Sequence, residues 1–153
     1  MKVLLTGGTG FVGTNILNNY SNIYDFYSLN LRNPEAYLGN FNNIDCFLHF
    51  AGKAHDTNNS TNCEDYYLIN TEHTKKLFDV FLSSNAKVFI TLSSVKAVAD
   101  SVEEILKEEV TPNPITHYGK SKLLAEKYIL SREIPKDKRF YILRPCIDRK
   151  SVV

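Results

Sequence analysis

No apolar run in this sequence is long enough to span a bilayer, so no transmembrane helix is expected. The first apolar run, Val3-Leu4-Leu5, is far shorter than a secretory h-region and leads straight into glycines, so no signal peptide is expected either. Charge of one sign is not in excess: 18 Lys+Arg stand against 17 Asp+Glu, a formal net charge of +1. Electrostatic binding of nucleic acid or of a membrane surface needs a concentrated basic face, and neither partner is expected. Cysteine is scarce. Cys46, Cys63 and Cys146 are odd in number, widely spaced and form no CxxC pair, which fits reduced thiols and a cytoplasmic setting. His49, His55, His73 and His117 fall at no metal-ligand spacing, and His49 reads as a satisfied core residue, so no metal site is expected. There is no internal repeat, and the one polar run, Asp56 to Asn62, reads as a loop.

What is present is material for one core. A chain of 153 residues with 43% hydrophobic and 12% aromatic residues buries roughly 68–70% of its unfolded surface without staples. Short apolar runs alternate with longer helical patterns, the mark of βαβ units and a parallel sheet with helices on its faces. Strands are expected at Lys2 to Thr6, Asp25 to Asn30, Asp45 to Phe50, Lys87 to Leu92 and Arg139 to Leu143. Helices are expected after Gly10, with Val12, Ile16 and Tyr20 on one face, at about Glu64 to Leu82, and at about His117 to Arg132 after the break at Pro112 and Pro114.

The strongest motif is Thr6-Gly7-Gly8-Thr9-Gly10-Phe11-Val12-Gly13, between a strand and a helix. It satisfies G-x-G-x-x-G at Gly8, Gly10 and Gly13, and G-x-x-G-x-x-G at Gly7, Gly10 and Gly13. Such glycines allow a tight turn and close approach of backbone N–H groups to a pyrophosphate at the helix N-terminus. An acidic residue about twenty positions on would hold a ribose 2′-hydroxyl. Asn30 stands there instead, with Arg32 two residues later, a pair that favours the 2′-phosphate of NADP over NAD; Arg32 as a plain surface charge is the competing reading.

Tyr118 and Lys122 lie at i and i+4, on one helical face, where an ammonium favours the phenolate of a tyrosine. Ser93-Ser94 follows a strand, at the end where open α/β sheets place ligands. Alone, each pair has a plain structural explanation. Together with the glycine loop they converge on one edge of one sheet.

This ordered set resembles the extended short-chain dehydrogenase/reductase superfamily, the nucleotide-sugar epimerases, dehydratases and 4-ketoreductases. The matching segments are residues 6–13, Asp-Cys-Phe-Leu-His-Phe-Ala-Gly at 45–52, Asn70 with Thr74, Ser93-Ser94, Tyr-Gly-Lys-Ser-Lys at 118–122, and Arg144-Pro145. The resemblance implies a Rossmann-like doubly wound parallel sheet, with residues 1–145 as the NAD(P)-binding domain. It implies Tyr118 as acid/base, Lys122 as the group that lowers its pKa and holds the nicotinamide ribose, and Ser94 as the hydrogen-bond partner of the reacting oxygen. Gly7, Gly10, Phe11, Val12 and Gly13 would line the pyrophosphate, and Phe50, Ala51, Gly52, Lys53 and Asn70 would flank the cofactor. It also implies a nucleotide-sugar substrate, with hydride transfer at sugar C4, and a homodimer built on the helices at about 64–82 and 117–132. Leu77, Phe78, Phe81, Leu124 and Tyr128 would serve that contact, or merely pack on the sheet.

The departures narrow the expectation. Dehydratases of this group place an acidic pair after the active-site hydroxyl, where this chain has Val95 and Lys96, which favours an epimerase or 4-ketoreductase. Only twelve residues separate Arg32 from Asp45, so the outer edge of the sheet is expected to be trimmed. Residues 146–153 do not continue the family pattern, and no C-terminal substrate domain follows, which reads as truncation. A non-catalytic NAD(P)-binding remnant is the alternative.

Overall fold

Val3, Leu4, Leu5 and Thr6 are buried on both faces of β1 (Lys2–Thr6), the environment of a central parallel strand. The computed structural model describes residues 1–54, 63–101 and 105–146. The polar run at 56–62, His55 and the tail beyond 146 lie outside the described residues. Around β1 the sheet is completed by β2 (Asp25–Leu29), β3 (Cys46–His49), β4 (Val88–Leu92) and β5 (Arg139–Leu143). All neighbouring pairs are parallel, in the order β2-β1-β3-β4-β5. Among the described residues four α-helices connect them: α1 (Phe11–Tyr20), α2 (Cys63–Tyr66), α3 (His73–Ser83) and α4 (His117–Leu130).

The strand order reverses between β1 and β3, which puts the ligand crevice at their carboxyl ends. β2 is an edge strand, and residues 33–44 supply only a short 3-10 turn at Pro34–Tyr37, so the trimmed outer edge is observed. The strands agree with the sequence reading within one residue at either end. The helix expected at about 64–82 runs from Cys63 to Ser83 but contains a π-helical stretch, Tyr67–Glu72, between α2 and α3. No periodicity in a single sequence distinguishes that extra residue per turn.

The core lies between one sheet face and helices α3 and α4. Leu4, Phe47 and Phe89 meet Leu77, Phe78, Phe81 and Ile129 there. The ring of Phe78 stands edge-on to Phe89 at 5.0 Å, an arrangement worth about 0.5–1.5 kcal/mol beyond area burial. Leu77, Phe78 and Phe81 are at most 1% exposed, so they are core and not dimer contacts; of the five apolar residues named for that role, Leu124 is the exposed one. On α1 the shared face of Val12, Ile16 and Tyr20 also stays largely outside: Val12 and Tyr20 are exposed, and Gly13 is the buried residue of the helix. On the opposite face of the sheet, Tyr141 and Leu143 of β5 are exposed.

Candidate active site

The loop after β1 shows why this segment needs glycine at particular places. Gly7 has φ +75°, and a Cβ there would sit 2.5 Å from the backbone of Phe50 and Ala51. A Cβ on Gly13 would run into the Gly7 carbonyl. Gly8, by contrast, has ordinary van der Waals room, so the geometry selects the 7/10/13 register over 8/10/13. Gly10 is the N-cap of α1, its own N–H bonds the Gly7 carbonyl at 3.0 Å, and no side chain caps the helix start. The N–H groups of the first turn are therefore presented, as an anion site requires.

Asn30 and Arg32 follow β2 beside this loop. The Asn30 carboxamide oxygen accepts from the Arg32 N–H at 3.1 Å, a local turn, and the Arg32 side chain is exposed. Phe50, Ala51, Gly52 and Lys53 follow β3 and form the second wall. The Ala51 N–H donates to Thr6 Oγ1. Asn70, 1% exposed, grips the backbone of Lys53 from both sides: its Oδ1 accepts from the Lys53 N–H at 2.8 Å, and its Nδ2 donates to the Lys53 carbonyl at 3.1 Å and to Ser121 Oγ at 3.0 Å. The π stretch that carries Asn70 thus joins the loop to α4, and Thr71 Oγ1 adds a bond to the Ser121 carbonyl. The Lys53 ammonium pairs with Asp65 at 2.8 Å and lies over the Tyr66 ring, which stands edge-on to Tyr118.

The third group is built by β4 and α4. Ser94 caps a 3-10 turn, Val95–Ala97, by accepting from the Lys96 N–H. Gly119 is buried against that turn, where a Cβ would meet the Lys96 carbonyl. This close approach sets Tyr118 beside Ser94, whose side chain favours the phenolate. The start of α4 is held by Thr116, whose Oγ1 accepts from the Gly119 N–H and donates to Asp100 at 2.7 Å. Asp100 also accepts from the N–H groups of Ile115 and Thr116. Burial pushes the Asp100 carboxyl up, but these hydrogen bonds and Lys96 outweigh it and leave it below the usual range. Nothing in the local sequence pattern marked Asp100.

Lys122 is buried, and its ammonium donates to the Leu92 carbonyl at 2.9 Å. Burial brings it down to about 8, against the opposing pull of Glu126. The Tyr118 phenol is raised by burial, with the Ser94 side chain working the other way. The Lys122 ammonium is tethered at the end of β4, and its own charge is penalised by burial. One further turn along α4, Glu126 is 2% exposed and is gripped by both arms of Arg144, with Nε to Oε1 at 3.0 Å and Nη2 to Oε2. Sequence reasoning missed Glu126, since an acidic residue in a helix reads as solvated. A separate cavity of about 270 Å³, lined by Tyr37, Phe41, Val80 and Ser84 among others, shares no residue with these groups.

Glycine loop, second wall and hydroxyl pair thus meet at the carboxyl ends of β1, β3 and β4, as in dinucleotide-binding α/β enzymes. The comparisons agree. GDP-6-deoxy-D-talose 4-dehydrogenase of Aggregatibacter actinomycetemcomitans is 30% identical over 84% of this chain and 47% of its own length. UDP-glucose 4-epimerase of Vibrio cholerae is 29% identical over 95% of this chain and 51% of its own. The chain thus spans about half the length of the curated relatives it matches. The crystal structure of UDP-glucuronic acid 4-epimerase of Bacillus cereus, in complex with UDP-glucuronic acid and NAD, superposes with a TM-score of 0.72 over 94% of this chain and 56% of its own, at 21% identity. Residues 3–147 match the family model for the NAD dependent epimerase/dehydratase family, and the chain belongs to this family.

Proposed function

We propose that this chain binds NAD or NADP and carries the acid/base centre of a nucleotide-sugar epimerase or 4-ketoreductase. One observation supports this above the others: Tyr118 stands beside Ser94, with Lys122 one turn further along α4. The residues fit a dinucleotide. At Gly10 a side chain would meet only the Gly7 carbonyl oxygen, at van der Waals distance, and the first turn of α1 has no acidic residue and no side-chain cap. Gly7, Gly10, Phe11, Val12 and Gly13 would receive the pyrophosphate, Asn30 and Arg32 the adenosine ribose, and Phe50 to Lys53 the far side of the crevice. Asn70 acts through the loop it clamps. A preference for NADP rests on Arg32.

When bound, the nicotinamide supplies a hydride acceptor or donor. Ser94 holds the reacting sugar oxygen by a hydrogen bond. Tyr118 takes the proton of a C4 hydroxyl in the oxidising direction and returns one to the carbonyl oxygen in the reducing direction. The charge of Lys122 favours the phenolate form of Tyr118. That a relative is named a UDP-glucose 4-epimerase, and another a GDP-sugar 4-dehydrogenase, supports chemistry at C4 of a nucleotide sugar.

The second reading is a module that binds the dinucleotide without turnover. Calorimetric titration with NAD⁺ and NADP⁺, followed by an assay for oxidation or epimerisation of UDP- and GDP-hexoses, tests both. Saturable binding with turnover supports the enzyme. Binding alone supports the module, and no binding to the folded chain overturns both.

A further inference from the structure

Glu126 and Ser93 are two buried polar residues that the proposed chemistry does not use. Both line a small cavity of about 10 Å³ behind Lys122, a volume that suits a single water molecule. The polar side chains around it fall into two groups. Asn70, Thr74 and Thr91 are already engaged: Asn70 with Lys53 and Ser121, Thr74 with His49 and the Asn70 carbonyl, Thr91 with the His49 carbonyl. Ser93 Oγ is buried with no hydrogen-bond partner among the described residues, a rare condition that calls for an explanation. An ammonium has three donors, and one of those of Lys122 goes to the Leu92 carbonyl. A carboxylate has about four acceptor sites, and Arg144 takes two of those of Glu126.

We propose that Glu126, clamped by Arg144, is a positioning residue for Lys122, keeping its ammonium charged and turned to the Leu92 carbonyl through one water shared with Ser93. The water would bond Lys122, Glu126 and Ser93, the number of polar partners a buried water typically has. Arg144 keeps the Glu126 carboxylate aimed, since a bidentate fork fixes both of its oxygens. The titratable groups around Lys122 are Tyr118 and Glu126 from α4 and His49 from β3, with Arg144 beyond Glu126; of these Glu126 is the one whose charge favours the ammonium. This inference rests on the reading of Tyr118 and Lys122 as the acid/base pair.

The test is the titration of the Lys122 side chain, followed by NMR of isotope-labelled lysine in the full chain, which needs no turnover. Glu126→Gln keeps the shape and removes the charge; Glu126→Asp keeps the charge and shortens the arm. Under the proposal the Lys122 midpoint drops by about one pH unit or more in Glu126→Gln, a tenfold change in the ratio of its charged to its neutral form, and stays near the wild-type value in Glu126→Asp. Ser93→Val, which fills the cavity, also lowers it. A purely structural clamp predicts the reverse order, with Asp more disruptive than Gln. A midpoint in folded Glu126→Gln equal to that of wild type, or an equal drop in Glu126→Asp, overturns the proposal. Where Glu126→Gln fails to fold, the double variant Glu126→Gln/Arg144→Gln leaves no guanidinium without its carboxylate, and an unshifted Lys122 there overturns it equally. Calorimetry with NAD⁺ on the wild type separates the two readings: absent binding overturns the cofactor-site reading, while the Lys122 shifts decide the role of Glu126.

Discussion

His49 Nδ1 and Thr6 Oγ1 lie 2.7 Å apart, side by side on β3 and β1. The direction of the proton can be worked out. Thr74 Oγ1 donates to the Asn70 carbonyl, so toward His49 it accepts, and His49 carries its proton on Nε2, 2.8 Å away. Nδ1 then accepts from Thr6, whose oxygen in turn receives the Ala51 N–H at 3.2 Å. A single neutral tautomer thus ties β1, β3, α3 and the second wall of the crevice together.

This predicts loss of stability in acid. Burial holds His49 down at about 3, from an ordinary value of 6.5, with Lys122 and His73 adding to the effect. The folded state therefore binds fewer protons than the unfolded state between those values. Its contribution is complete above about pH 6.5 and is lost as the pH falls toward 3, at about 1.4 kcal/mol per pH unit. Urea unfolding from pH 7 to pH 4 checks this, with His49→Gln as reference. A wild-type slope no steeper than that of the variant would count against it.

Two glycine substitutions should separate folding from binding. Gly10→Ala places its methyl 3.4 Å from the nearest atom, the Gly7 carbonyl oxygen, and so should cost less than about 1 kcal/mol while abolishing dinucleotide binding by calorimetry. Gly7→Ala forces a side chain into φ +75° against Phe50 and Ala51 and should lower stability by about 1–3 kcal/mol or more. Equal melting temperatures for the two variants would refute the assignment.

Tyr118→Phe removes the proton donor and leaves the ring. Any turnover of a nucleotide sugar should fall by roughly 10²–10⁴, with NAD⁺ affinity retained within a few-fold. Parallel loss of binding and rate would instead make the hydroxyl a binding group.

Lys138 is buried at the end of α3, where its ammonium donates to the carbonyls of Phe81 at 3.0 Å, Ser84 at 2.6 Å and Ala86 at 2.7 Å. Charged caps of this kind are worth up to ~2 kcal/mol. Lys138→Met should lower the urea midpoint accordingly, and Lys138→Arg should not restore it, because a planar fork cannot reach three converging carbonyls.

Much of the architecture was legible because strand and helix patterns are local. Lys87 to Leu92 reads as a strand from its own residues, and the glycines of 7–13 announce a tight turn before a helix. What the sequence concealed depends on partners far away in the chain. Lys138 looks like a surface charge until the carbonyls ending α3 surround it. Glu126 meets Arg144 across 18 positions. Leu77, Phe78 and Phe81 could serve an interface or a core equally well by spacing, and only the facing Phe47 and Phe89 decide for the core. The fork between the two glycine registers was likewise settled by Phe50 and Ala51, which come from the loop after another strand.

The π stretch at Tyr67–Glu72 has a consequence for how this segment tolerates change in length. Deleting one residue there, even the half-exposed Leu68, would let the backbone relax to ordinary α winding. No core side chain would be lost. Six residues at the wider winding turn through about the angle that one fewer residue covers in an α-helix, so the parts before and after the deletion would keep their phase. Asp65 would still meet Lys53, and Tyr66 would still meet Tyr118. A deletion in this stretch should therefore be better tolerated than the same deletion within α3, which would turn one part of the helix by about 100° against the other.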